Sequence, residues 1–142
     1  MAGTVRTAHT NWTGTLLEGS GVVHFDSSNL ASTDVTWASR ATEANGLTSP
    51  EELIAAAHSS CFSMAFSAGL TKAGTPPTAL ETTAEVTFVP GTGITGIALS
   101  VVAEIPGISE EDFQAAAQAA KEGCPVSKAL AATPITITAT LK

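Results

Sequence analysis

Charge and sulfur are both scarce in this 142-residue chain. Charged residues make up 13% of it, cysteine occurs twice, and the only arginines are Arg6 and Arg40. Thirteen acids against six bases leave a formal charge of −7. A surface of that sign repels a phosphate backbone or an anionic bilayer, so neither nucleic acid nor membrane is an expected partner. No unbroken apolar run approaches the roughly 18 residues of a membrane span. The first 20 residues hold one Arg and no apolar stretch of the kind a secretory signal needs. The expected location is therefore the cytoplasm. Two cysteines and three scattered histidines (His9, His24, His58) do not form a zinc-ligand pattern, and no metal is expected. Nor is a structural disulfide expected in a chain without an export signal. The two thiols are then either inert core residues or a redox pair.

What the chain does have is apolar bulk. Hydrophobic residues are 44% of it, which excludes disorder, and the length fits one domain, residues 1–142, with a core that needs no covalent staple. Trp12–Leu17 and Val22–Asp26, joined by Glu18-Gly19-Ser20-Gly21, read as a hairpin, and Val35–Ser39 as a third short strand. Ser49-Pro50 is a strong helix start, with Glu52 completing a capping box. The next breakers are Gly74 and Pro76-Pro77, so a helix from Pro50 to about Lys72 is predicted, roughly 34 Å long. Its residues are small and apolar, and burial nearly all round is expected. Two alternating segments, Thr83–Phe88 and Ile97–Ile105, flank the turn Pro90–Gly93 and predict an antiparallel hairpin. Ser109 to Glu122 reads as a second long helix stopped by Gly123, and Cys124-Pro125 opens a short third helix to about Ala131. Ile135–Leu141 alternates as a last strand. The class is α+β with mainly antiparallel sheet.

Cys61 lies in the middle of the long helix, on a face with Leu53, Ala57 and Met64. Its plain reading is a buried core thiol, since free cysteine is among the most buried residues. To be reactive it must ionise, and an unperturbed thiol does so only near pH 8.5. The helix dipole acts at the ends and gives a mid-helix sulfur no help. A neighbouring cation is needed. Arg40, just ahead of the helix, is the candidate, and its competing reading is a solvated surface residue. Cys124 sits where one helix stops and another starts, so the positive end of the following helix favours a thiolate there. It is either an ordinary buried joint residue or a resolving thiol.

Glu52 has work in the capping box, whereas Glu51 is available for another role. Within one helix Glu51 and Cys61 are about 15 Å apart along the axis. An antiparallel copy of the helix in a two-fold dimer would bring them together; the simpler reading of Glu51 is an acid favoured by the helix N-terminus. His58, one turn before Cys61, is either its base or a satisfied interface residue.

The segment Thr48-Ser49-Pro50-Glu51-Glu52-Leu53-Ile54-Ala55-Ala56-Ala57-His58-Ser59-Ser60-Cys61-Phe62-Ser63-Met64-Ala65 resembles the signature of the OsmC/Ohr family of osmotically inducible and organic hydroperoxide resistance proteins. Gly123-Cys124-Pro125-Val126-Ser127-Lys128-Ala129-Leu130 resembles its second cysteine motif, and Trp12-Thr13-Gly14 and Ile105-Pro106-Gly107-Ile108 also fit. His58, Val126, Arg40 and the absence of tyrosine point to the OsmC branch. The resemblance implies an OsmC-like α+β fold, with antiparallel sheets wrapping long central helices in an intertwined homodimer. It implies a thiol peroxidase in which Cys61 attacks a hydroperoxide, Cys124 resolves the sulfenate as a disulfide and an external thiol or dithiol reduces it. Arg40 would stabilise the Cys61 thiolate and Glu51, from the partner chain, would hold Arg40. No cofactor is required.

Two other readings compete with the enzyme. A non-catalytic dimeric module of the same fold would use an apolar cleft for a small ligand and keep both thiols inert. A Cys–His hydrolase would need His58 beside Cys61 and an oxyanion site that no motif marks.

Overall fold

The computed structural model describes residues 2–142, in two units: one up to Pro50 and one from Glu51 to Lys142. The first carries a three-stranded antiparallel sheet of β1 (His9–Thr13), β2 (Ser20–Phe25) and β3 (Leu30–Val35), in that order. The hairpin predicted from sequence is present, but its first strand ends at Thr13 instead of Leu17. Gly14 turns the chain at φ +93°, and a Cβ on Gly19 would collide with the carbonyl oxygens of Thr13 and Thr15. The turn therefore consumes Thr15–Leu17, and Leu17 is left exposed.

The expected third strand at Val35–Ser39 is corrected. Strand β3 ends at Val35, and Trp37–Ala41 is a helical turn, α1. Thr36 and Ser39 cap each other: the Ser39 amide donates to the Thr36 hydroxyl, and the Thr36 amide donates to Ser39 Oγ, each at 3.0 Å. A reciprocal cap of this kind satisfies the first free amides of a helix and outweighs the strand preference of the β-branched residues before it. The Ser39 hydroxyl also donates to the Thr48 carbonyl at 2.9 Å, which ties α1 to the segment leading into the long helix.

The second unit is built on β4 (Ala79–Val89) and β5 (Gly93–Glu104), antiparallel with Ala84 opposite Leu99, joined by a turn in which Gly91 and Gly93 take positive φ. The last strand, β6 (Ile135–Leu141), lies against β5 in parallel, Ile97 beside Ile135. The sheet is thus mixed. Two helices, α3 (Glu110–Gly123) and α4 (Pro125–Ala129), provide the crossover that a parallel pair demands. Ser109 caps α3 by accepting from the Asp112 amide at 3.1 Å.

The long helix, α2 (Pro50–Lys72), runs between the predicted limits. The expectation of burial nearly all round is corrected: its closed side is one stripe at four-residue spacing, His58, Phe62, Phe66 and Leu70. Phe62, Phe66 and Leu70 join Leu99, Val101 and Ala103 of β5 and Phe113 and Ala117 of α3 in one core. Each such side chain contributes about 1.5–3 kcal/mol by leaving water. The face shared by Leu53, Ala57, Cys61 and Met64 is not the core face; Met64 is 72% exposed. A sheet covers only one side of a helix, and the small-residue side of α2 stays uncovered in the single chain. By length and mean hydropathy, 1.4, α2 could cross a membrane, but its largest apolar residues are spent on the sheet.

Candidate active site

Both cysteines lie in the second unit, and the fold brings them together across 63 residues of sequence. Their sulfurs are 3.1 Å apart, in hydrogen-bond contact, and both are free thiols. Cys61 flanks the buried stripe of α2 and is partly accessible, whereas Cys124 has no exposed surface. Cys124 is held by its backbone on both sides. Its amide donates to the Ala120 carbonyl as the last bond of α3, and its carbonyl accepts from Lys128 as the first bond of α4. Gly123 ends one helix and Pro125, without an amide proton, opens the next. The thiol therefore occupies the N-cap position of α4, facing amides that no backbone carbonyl occupies.

That position decides where negative charge rests within this unit. Burial opposes a thiolate at Cys124, but the Ser127 amide, the Cys61 thiol, the Ser127 hydroxyl and the Val126 amide outweigh it, and its pKa falls below the ordinary thiol value. No capping hydrogen bond closes onto the sulfur, so the effect is one of nearby dipoles. Cys61 moves the other way. Burial, the contact with Cys124 and the Cys124 charge raise its pKa, against a smaller pull from the Val126 amide. Among the second unit's own groups, a thiolate is favoured at Cys124 over Cys61. Sequence reading put a thiolate at each sulfur on different grounds, the helix end for Cys124 and Arg40 for Cys61; the second unit's own groups supply only the first.

The other predicted residues fall as follows. Glu51 is buried in the first turn of α2, 6% exposed, and about 15 Å from Cys61 along the helix axis. The single chain does not bring these two together. Arg40 is half-buried in the last turn of α1, in the first unit. His58 is fully buried and does not serve Cys61. Its Nε2 lies 2.7 Å from Ser127 Oγ, and Nδ1 has no hydrogen-bond partner among the described residues. Burial lowers its pKa and keeps the ring neutral. Sequence reading did not single out Ser127. The available signal was its place three residues after a cysteine that opens a helix, where side chains at i and i+3 share a face. No group of three or more His, Cys, Asp or Glu able to hold a metal occurs among the described residues.

Comparison with known proteins identifies the family. The family model described as OsmC-like protein matches residues 43–140, a span that includes both thiols. Peroxiredoxin OsmC of Escherichia coli is 42% identical over 125 residues, covering 86% of this chain and 87% of that protein. In fold, the chain is similar to the organic hydroperoxide resistance protein OhrB of Bacillus subtilis, with TM-score 0.68, 24% identity, and coverage of 96% and 98% of the two chains. It is also similar to an OsmC-like protein of Mycoplasma pneumoniae, with TM-score 0.73, 14% identity, and 97% of each chain covered. With both cysteine motifs inside the matched span and the α+β architecture reproduced, this chain belongs to the OsmC-like protein family.

Proposed function

We propose that this chain is a thiol-dependent peroxidase that reduces organic hydroperoxides, and hydrogen peroxide more weakly, in oxidative or osmotic stress defence in the cytoplasm. The observation that carries the reading is the 3.1 Å separation of two free thiols on different helical elements. A disulfide needs about 2.05 Å, so the sulfurs must approach by only about 1 Å. The Cys61 thiolate attacks the distal peroxide oxygen; the O–O bond breaks, Cys61 becomes a sulfenic acid, and the alkoxide leaves as an alcohol after taking a proton. Cys124, as thiolate, then attacks the Cys61 sulfur and expels hydroxide, which is protonated to water. An external thiol or dithiol reduces the disulfide by exchange.

For the first step the thiolate must form at Cys61, against the preference of the second unit's own groups. In this reading the Arg40 guanidinium supplies the bias, stabilising the Cys61 thiolate and orienting the peroxide. Glu51 of a second copy holds Arg40, since within one chain the helix keeps Glu51 about 15 Å from Cys61. A homodimer is supported by the open face of α2, where Ala56, Ser60, Met64 and Ala68 recur every four residues and are exposed. Cys61 is packed against the apolar core and partly accessible, which favours a neutral organic hydroperoxide over an anion.

The test is consumption of tert-butyl and cumene hydroperoxide in the presence of a dithiol. The wild type is expected to turn over, Cys61→Ser to lose all activity, and Cys124→Ser to form no intramolecular disulfide. Turnover that survives Cys61→Ser overturns the reading.

A further inference from the structure

Helices α2 and α4 are joined by two parallel rungs. One is the Cys61–Cys124 sulfur contact; the other, three residues away along each helix, is the His58–Ser127 bond. His58 is fully buried and Ser127 is 7% exposed, so the second rung is screened from water. A buried histidine is costly unless something is gained from it, because a hydrophobic side chain would fill the same space without leaving Nδ1 unpaired. The ring is neutral, so only one nitrogen carries a proton. A buried N–H without a partner is rarer and costlier than an unpaired acceptor. The proton therefore sits on Nε2, which donates to Ser127 Oγ at 2.7 Å, and Nδ1 is the bare acceptor.

A serine hydroxyl has two acceptor lone pairs and a single rotatable proton. With His58 donating to the oxygen, that proton cannot point at the ring. Cys124, the N-cap residue, lies three positions before Ser127 and so on the same side of the turn, and the Ser127 side chain contributes to the lowered Cys124 pKa.

We propose that His58 and Ser127 form a positioning pair for the resolving thiol: His58 Nε2–H fixes the Ser127 hydroxyl so that its proton faces Cys124 Sγ and readies that sulfur for attack on oxidised Cys61. Neither residue touches the peroxide. The inference rests on the assignment of Cys124 as the resolving thiol, and it separates two steps. The pair acts on the attack by Cys124 and not on the opening reaction at Cys61.

A test that does not depend on peroxide uses dithiodipyridine, a neutral aromatic disulfide. The Cys61 thiolate attacks it, forming a mixed disulfide and releasing one thiopyridine. Cys124 then attacks the Cys61 sulfur, forming the intramolecular disulfide and releasing a second. The two releases are followed by stopped-flow absorbance. In wild type the second release follows the first rapidly. In Ser127→Ala and His58→Phe the second is expected to slow by about tenfold, the effect of losing a hydrogen bond to a charged group, while the first is not slowed. His58→Gln places an amide N–H where Nε2–H was and is expected to restore the second phase. The double variant His58→Phe/Ser127→Ala should be no slower than Ser127→Ala alone, since the histidine acts through the serine. An unchanged second phase in Ser127→Ala, or equal slowing of both phases, overturns the proposal. Ser127→Ala removes only one oxygen, so it answers the question even if His58→Phe does not fold. A wild type that completes both phases yet consumes no hydroperoxide would count against the peroxidase reading while leaving the positioning pair measurable.

Discussion

Closing the Cys61–Cys124 disulfide should raise the stability of the chain by an amount set mainly by its loop. The two residues are 63 apart in sequence, so the bond removes from the unfolded ensemble the freedom of a long segment. Chain-entropy arguments put that at about 4 kcal/mol at 25 °C for a loop of this length. The opposing term is distortion of the folded state. It is small here, because the sulfurs start 3.1 Å apart and Cys124 sits in a joint between two helices. Domains of this kind have total stabilities of about 5–15 kcal/mol, so the oxidised form gains a large fraction of its margin. With a urea dependence of about 2 kcal/mol per M, the unfolding midpoint should rise by roughly 2 M on oxidation. The assay is urea unfolding of reduced and oxidised protein at one fixed protein concentration, with Cys61→Ser as the control whose midpoint ignores the oxidant. An oxidised chain that unfolds at the same urea as the reduced chain, or lower, would refute the claim that the fold presents the sulfurs ready to bond.

Two further outcomes are expected. In the proposed homodimer, Met64→Glu on the open side of α2 should shift the mass in sedimentation from twice the 14.3 kDa chain mass to the chain mass, because a carboxylate buried at an apolar interface has no partner there; an unchanged mass would remove this stripe from the interface. Burial lowers the pKa of His58, so below about pH 6.5 the unfolded chain binds a proton that the folded chain refuses, and the stability held at neutral pH is lost as pH falls. One such group changes stability by at most about 1.4 kcal/mol per pH unit, and His58→Gln should flatten the slope between pH 5 and 7 by part of that, with equal slopes in the two proteins counting against a buried neutral ring.

The elements easiest to read were those whose limits are set by local chemistry. Pro50 starts α2, Ser109 caps α3, Gly123 and Pro125 bracket Cys124, and the strict alternation of β5 and β6 marks their buried faces. Misreadings came where a distant partner or an unnoticed local competitor decided the outcome. The Thr36–Ser39 cap turned an expected strand into α1. The parallel pairing of β6 was invisible because alternation reports which face is buried and says nothing of direction. Burial of α2 was overestimated because composition records how much of a helix is apolar, while the fold supplies one sheet and one neighbouring helix to cover it.

The site shows the same division. Each thiol was identifiable from its own surroundings, and the favourable position of Cys124 at the head of a helix follows from the Gly-Cys-Pro joint alone. The sequence does not reveal which thiol ionises more readily, because that depends on every donor around both. The Ser127 and Val126 amides favour the thiolate at Cys124, and burial favours the thiol at Cys61. His58 was visible as an oddity on an apolar helix, but its partner lies 69 residues away, and nothing at position 58 announces a serine on another helix. The arrangement suits an ordered two-step reaction. A thiolate already favoured at the resolving position shortens the life of the sulfenic acid, and a cation that acts only on Cys61 can redirect the proton for the opening attack. Both attacks go through a thiolate, so the two sulfurs need anion-stabilising environments in turn, within 3.1 Å of each other. A short helix supplies one of them from its backbone, and the other must come from a side chain.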